Sequence, residues 1–342
     1  MDGMRSGEAL SAVDSAWLRM DRPTCLMMVC GMMLFERRLR LQAVKDVVRQ
    51  RMLCFHRFTQ RVSGTGSARW ETDPAFDLDW HVRHLALPAG DTLEDLVGSL
   101  VSTPLDRSRP MWQFHLIDDR QGGSALLLRV HHCYGDGFAL MHVVSSMMDE
   151  APDRPHAAPA DIPRPHAEGS ALERMLGPAA QSAGAALRAA RSAAGLGREL
   201  LAHPFEALAY AGAGADYALA AAAIAAMPPD SPTCLKGELG VMKRVAWAQP
   251  LPLEEVKAVA AALACSVNDV LVACIAGALR RTLLERGEDA GSVQLRSLVP
   301  VNLRPPGPPA TLGNQFGLVF LDLPVATAEP VGRVLEVRRR MR

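Results

Sequence analysis

The chain is poor in aromatic residues, which make up 5% of its 342 positions, and it carries no net charge, with Lys+Arg and Asp+Glu both numbering 37. The first shortage argues against a β-sandwich and, with the wealth of Ala, Met and Leu, favours many buried helices. The second leaves no electrostatic case for nucleic acid, because a duplex attracts a basic surface. No two of the seven cysteines form a C-x-x-C pair, and their number is odd. Neither a disulfide framework nor a structural zinc site is therefore expected, and reduced thiols in a cytoplasmic protein are the simplest reading. Asp2 and Glu8 precede any apolar run, so no secretory leader is expected. Long apolar runs are also scarce. Residues 209–227 form one, but it is mostly Ala and Gly, contains Asp216 and ends at Pro228 and Pro229. Such residues drive insertion poorly, and a packed or surface-lying helix is expected there rather than a membrane span.

At 342 residues the chain exceeds what one compact core usually holds. Its pattern divides it into an N-terminal α/β lobe over 1–150, a linker with connecting helices over 151–232, and a C-terminal α/β lobe over 233–342. In the first lobe, 25–35 reads as a buried strand and 41–53 has helical apolar spacing. Residues 76–87 look extended, 93–101 helical, and 112–117 and 125–130 are short apolar runs that suit paired strands. Helical spacing returns after Gly137. Residues 151–169 are Pro-rich and aperiodic, and 170–227 are Ala-rich and helical. Beyond Thr233, residues 251–263 and 267–284 read as helices, 295–301 and 318–323 as strands, and 331–342 as a basic helix.

The chemistry concentrates at 131–137, His-His-Cys-Tyr-Gly-Asp-Gly. A strand runs into it and a helix follows, a junction where a side chain is held rigidly and still faces a cleft. Gly135 and Gly137 permit close backbone approach and positive φ. Asp136 can cap the following helix or anchor an arginine. A neutral imidazole here suits acyl transfer to a hydroxyl: it takes the alcohol proton while the oxygen attacks a thioester carbonyl. Other readings stand beside this one. The His pair could be a packing feature or half of a metal site, although Cys133 would crowd the ligands and no acidic residue has metal spacing. Cys133 could itself be a nucleophile, but nothing in the sequence lowers its pKa. Ser266 and Asn268 precede an apolar run, where either fits a helix cap.

His-His-x-x-x-Asp-Gly resembles the signature of the wax ester synthase/diacylglycerol acyltransferase family, in the superfamily of chloramphenicol acetyltransferase and the peptide-synthetase condensation domains. Further blocks narrow the resemblance to that family: Pro-Leu-Asp-Arg-Ser-Arg-Pro-Met-Trp at 104–112, Ser-Val-Asn-Asp-Val at 266–270, Val-Pro-Val-Asn-Leu-Arg at 299–304, Gly-Asn-Gln at 313–315, and the opening Leu-Ser-Ala-Val-Asp-Ser-Ala-Trp-Leu at 10–18. The block at 104–112 also has a purely structural reading, in which Pro110 and Trp112 fix a turn and fill a core gap.

The resemblance implies a two-lobed chloramphenicol acetyltransferase-like α/β fold, with mixed sheets flanked by helices and a tunnel between the lobes. It implies O-acyl transfer from long-chain acyl-CoA to diacylglycerol or a fatty alcohol, with acyl-CoA as substrate and neither cofactor nor metal. His132 takes the part of general base, His131 a supporting part, and Gly137 completes the motif. Asp136 orients the loop through an arginine, for which Arg304 holds the matching place. Asn268 and Asp269 are placed to support substrate or structure. Apolar substrates imply a peripheral position on a membrane or lipid droplet. Relatives continue past Arg342, so the second lobe is expected to be incomplete, with an unpaired sheet edge. Two alternatives follow: an impaired remnant that binds lipid or acyl-CoA, and a condensation-type acyltransferase with another acceptor.

Overall fold

The computed structural model describes residues 7–64, 68–118, 122–149, 227–304 and 312–341. In chain order its elements are β1 (Glu8–Ala9), α1 (Ala12–Met20), β2 (Met28–Phe35), α2 (Leu41–Val47), β3 (Gln60–Ser63), β4 (Arg69–Thr72), α3 (Leu78–His81), β5 (Val82–Ala86), α4 (Leu93–Ser102), β6 (Trp112–Asp118), β7 (Ser124–His131), α5 (Gly137–Ser146), α6 (Leu253–Ala262), α7 (Val267–Glu285), β8 (Leu295–Asn302), β9 (Phe316–Leu323) and α8 (Pro330–Arg340). The helical reading of 170–227 and the Pro-rich linker fall, except for Met227, outside the described residues. The chain forms two compact units. Among the described residues, one holds those up to 149 with 238–250 and 300–319, and the other holds the remainder.

The first unit is organised by a four-stranded sheet in the order β2-β7-β6-β5. β7 runs antiparallel to both β2 and β6, and β5 is parallel to β6. All eight residues of β7 are buried, as are the first six of β6. Alternation along β6 sends Trp112, Phe114 and Leu116 into a core with Phe55, Phe58, Trp70 and Tyr134. Ile117, Ala125 and Leu127 face the other way, toward Val97 on α4. Burying strands on both faces this way makes their ends rigid, and β7 ends at His131. α4 starts from a capping box between Thr92 and Asp95, which satisfies two amides that the first turn leaves free.

Two sequence expectations need correction here. Residues 76–87 are not extended throughout: Asp77 caps the short helix α3 before β5 begins. The expected buried strand at 25–35 starts only at Met28, because Arg22 and Cys25 close a turn, and it is a half-exposed edge strand in which Leu34 is 64% exposed. Hydrophobicity alone does not separate an edge strand from a central one. The helical spacing over 41–53 is shared by α2 and a π-helical turn at Val48–Met52.

In the second unit α6 and α7 are joined by a tight turn. The Cys265 N–H bonds the Ala260 carbonyl across it, and Ala264 takes a left-handed φ of 49°. α7 begins with a second capping box, between Ser266 and Asp269. One small core gathers Ala276, Leu283, Leu295, Leu321 and Leu323, and another gathers Ala260, Val270, Ala273, Val334 and Val337. β8 and β9 form a two-stranded sheet, of which 300–302 and 316–319 are counted with the first unit. Among the described residues, no single helix is long and apolar enough to cross a membrane.

Candidate active site

β7 delivers His131 and His132 to the edge of the first unit's core, and the chain then makes a single 3-10 turn before α5. The two histidines have opposite fates. His131 is buried, and its Nδ1 accepts the Cys133 N–H at 3.1 Å. Burial pushes its pKa down to about 4, against the opposing pull of Asp21 3.8 Å away. His131 is thus a neutral brace inside the turn. His132 is only half-buried, and its backbone N–H is tied to the Met27 carbonyl at 2.8 Å.

The His132 imidazole is held on one face and at one nitrogen. Trp17 of α1 stacks on it with ring centroids 4.1 Å apart and planes 17° apart, and Phe316 lies 6.3 Å away. Nδ1 is 3.2 Å from Oδ1 of Asn314. The neighbours of Asn314 settle which way its amide points. Its Nδ2 donates to the His132 carbonyl at 2.9 Å and to Asp14 Oδ1 at 2.7 Å, and both of these groups accept. Oδ1 is left facing His132, so Nδ1 must carry the ring proton. The lone pair of a neutral imidazole is then on Nε2, which has no hydrogen-bond partner among the described residues. Burial raises the Asp14 carboxyl above its ordinary value, against hydrogen bonds from Asn314 and Ser11.

Asp136 performs both tasks read from the sequence. One carboxylate oxygen caps α5 by accepting the Ala139 N–H at 3.0 Å. The other accepts from Arg304 Nη1 at 2.5 Å and from the Gln315 N–H at 2.8 Å. Burial alone would push this carboxyl up, but the Gln315 and Ala139 amides and Arg304 outweigh it and hold it below its usual value. Arg304 also donates to the Gly313 carbonyl at 2.5 Å. The ion pair therefore fastens 304 and 313–315 to the turn that carries His132, and Asn314 sits inside that fastened segment.

The glycines meet only part of the expectation, with close approach at Gly135 but no positive φ of the left-handed kind. Gly135 has an extended φ of 168°, not a left-handed one; a side chain there would meet the Ala139 Cβ at 3.1 Å. Gly137 is the exposed first residue of α5, with nothing near its missing Cβ. The left-handed glycine at the site is Gly313, with φ 129°. Cys133 is buried and its thiol is pushed far above the ordinary range by burial, which removes it as a nucleophile. Asn268 and Asp269 belong to the second unit. Asp269 closes the capping box of α7, and Asn268, exposed in the first turn, is not the cap. Among the described residues no group of three or more His, Cys, Asp or Glu is placed to hold a metal ion.

Sequence reasoning assigned no role to Asp14, Trp17 or Asn314. The only available signal was their position inside blocks of the family resemblance. The block at 104–112 proves to be a fastener. Arg107 donates to the Leu18 carbonyl at 3.0 Å and to Asp21 at 2.9 Å, so it clamps the end of the helix that carries Asp14 and Trp17.

Comparison with known proteins identifies the family. Residues 10–271 match the model of the wax ester synthase/diacylglycerol acyltransferase catalytic domain. A probable diacylglycerol O-acyltransferase of Mycobacterium tuberculosis is 29% identical over 88% of this chain and 62% of its own length. A second from that organism is 31% identical over 81% of this chain and 59% of its own. The chain thus spans about three-fifths of the length of these curated relatives. The wax ester synthase/diacylglycerol acyltransferase of Marinobacter aquaeolei superposes with a TM-score of 0.60 at 24% identity, covering 97% of this chain and 71% of that one. The first condensation domain of the CDA synthetase gives 0.57 at 19% identity, over 99% and 75%. The fold is the one these structures share, and the chain belongs to the wax ester synthase/diacylglycerol acyltransferase family.

Proposed function

We propose that this site catalyses O-acyl transfer from a long-chain acyl-CoA to diacylglycerol or a fatty alcohol, with His132 as general base. The observation that carries the reading is the Asn314 contact, which puts the ring proton on Nδ1 and leaves Nε2 free to accept another. In the proposed step Nε2 removes the acceptor's hydroxyl proton as its oxygen bonds to the thioester carbonyl carbon. The tetrahedral intermediate then collapses, the carbon–sulfur bond breaks, and the imidazolium returns its proton to the departing CoA sulfur. A base so placed contributes about 10²–10⁴-fold. Asp136, Arg304 and His131 act one layer out, keeping the turn and Asn314 in register. The names of the relatives, diacylglycerol O-acyltransferase and wax ester synthase, support the substrate class. Because both lipids are water-insoluble, the reading also places the protein at the surface of a membrane or lipid droplet.

The test is turnover of labelled palmitoyl-CoA against hexadecanol and against diacylglycerol. Wild-type protein is expected to form wax ester or triacylglycerol. His132→Ala is expected to lose at least about 10²-fold in rate while its circular dichroism is unchanged. Undiminished turnover by His132→Ala overturns the assignment of the base.

A further inference from the structure

We propose that Asp14, on the N-terminal helix, is a positioning residue that selects the catalytic tautomer of His132 through Asn314. The inference rests on the acyl-transfer reading above and adds a residue to it. A neutral imidazole can carry its proton on either nitrogen, and only the Nδ1–H form leaves Nε2 able to take a proton. Asn314 alone does not decide between them. Its amide is nearly symmetric in shape, and a half-turn would present Nδ2 instead of Oδ1 to the ring. In that flipped state Nδ1 would accept, the proton would move to Nε2, and the base would be blocked.

Asp14 removes this freedom. Its Oδ1 takes one Nδ2 hydrogen at 2.7 Å and the His132 carbonyl takes the other at 2.9 Å. A carboxylate is an acceptor only, so a flipped Asn314 would aim Oδ1 at two acceptors and leave buried donors and acceptors unmatched. Asp14 is itself 7% exposed and fixed early in α1, where Ser11 caps the helix by accepting the Asp14 N–H at 3.0 Å. Three residues on, the same helix supplies Trp17, whose ring lies flat on the imidazole 4.1 Å away and holds its plane in line with Asn314. Arg107 anchors the far end of the helix. One helix thus sets both the plane and the protonation pattern of a histidine that lies more than a hundred residues away in the chain.

Two measurements test this. In protein carrying ¹⁵N-labelled histidine at neutral or mildly alkaline pH, the neutral His132 ring of the wild type is expected to show protonated Nδ1 and unprotonated Nε2. Asp14→Ala is expected to populate the other tautomer. In the same variant kcat should fall about 10- to 100-fold with KM nearly unchanged, the cost of losing one charge-assisted contact to the part-buried Asn314 amide. Asp14→Asn keeps one acceptor oxygen and should recover part of both signals. A wild-type ring protonated on Nε2 overturns the proposal without any variant, which covers the case in which Asp14→Ala does not fold. So does an Asp14→Ala protein with wild-type kcat and tautomer. If His132→Ala retains activity, it is the base assignment that fails. If His132→Ala is dead and Asp14→Ala is unaffected, only the present inference fails.

Discussion

Two strand pairs in this chain have similar sequences and opposite surroundings. β6 and β7 are apolar and almost wholly buried: Trp112, Phe114 and Leu116 are 0% exposed. β8 and β9 are also rich in Leu and Val, yet Leu298 is 52% and Leu318 51% exposed. The first pair places His132 through the stiffness of its own core. The residues next to the second pair, Arg304 and Asn314, are placed instead by polar contacts with Asp136, Gly313 and Asp14. One half of the site is positioned by packing and the other by a few hydrogen bonds, so the two halves should respond to different perturbations.

The largest effects are expected where either mode is removed outright. Trp112→Ala should cost about 3–5 kcal/mol by opening a cavity in the buried sheet. Asp136→Ala should cost about as much, because it strands the buried Arg304 charge and uncaps α5. Urea unfolding measures both, and only the second should loosen 312–315 in hydrogen exchange while leaving β6 and β7 protected. Equal loss of protection in both regions would break the distinction.

Acid should act next, and through the buried sheet. His131 on β7 and His115 on β6 are both pushed by burial from 6.5 to about 4. Between those values the unfolded chain binds more protons than the folded one. Their contribution is therefore complete above pH 6.5 and lost as pH falls toward about 4. Asp136, held low in the fold, adds a second loss at still lower pH, as pH falls through its folded value. Urea midpoints between pH 7 and pH 4 should decline, and His115→Leu should flatten the upper part of that decline. The smallest effect is expected on the exposed pair: Leu298→Ala should change stability by no more than about 0.5 kcal/mol. A cost like that of Trp112→Ala would mean that β8 is covered in solution.

How much of this was legible beforehand follows the same divide. The apolar runs that became β6, β7, α4 and α7 stand out because burial imposes a period on their residues. Asp136 was readable as a cap because the signal is local, lying beside the helix it starts. Residues 76–87 misled because α3 lasts only one turn, too short for its period to show against the strand that follows. Asn314 and Asp14 carry no local signal at all. They meet His132 and each other across 182 and 300 residues, and an Asn or Asp in a turn or on a helix reads as an ordinary polar residue. Only the ordered blocks shared with the family hinted at them, and those blocks do not say which atoms touch.

The left-handed alanine between α6 and α7 has a practical consequence. At φ 49° its methyl group crowds its own backbone in a position that helices commonly give to glycine. Ala264→Gly should relieve that crowding and stabilise the second unit by about 1 kcal/mol less the entropy that glycine adds to the unfolded chain, which its melting temperature would report. The gain would come without altering any group that touches His132. The junction is therefore a place to tune thermal endurance apart from the His132 site, a useful handle for anyone wishing to produce the protein in quantity.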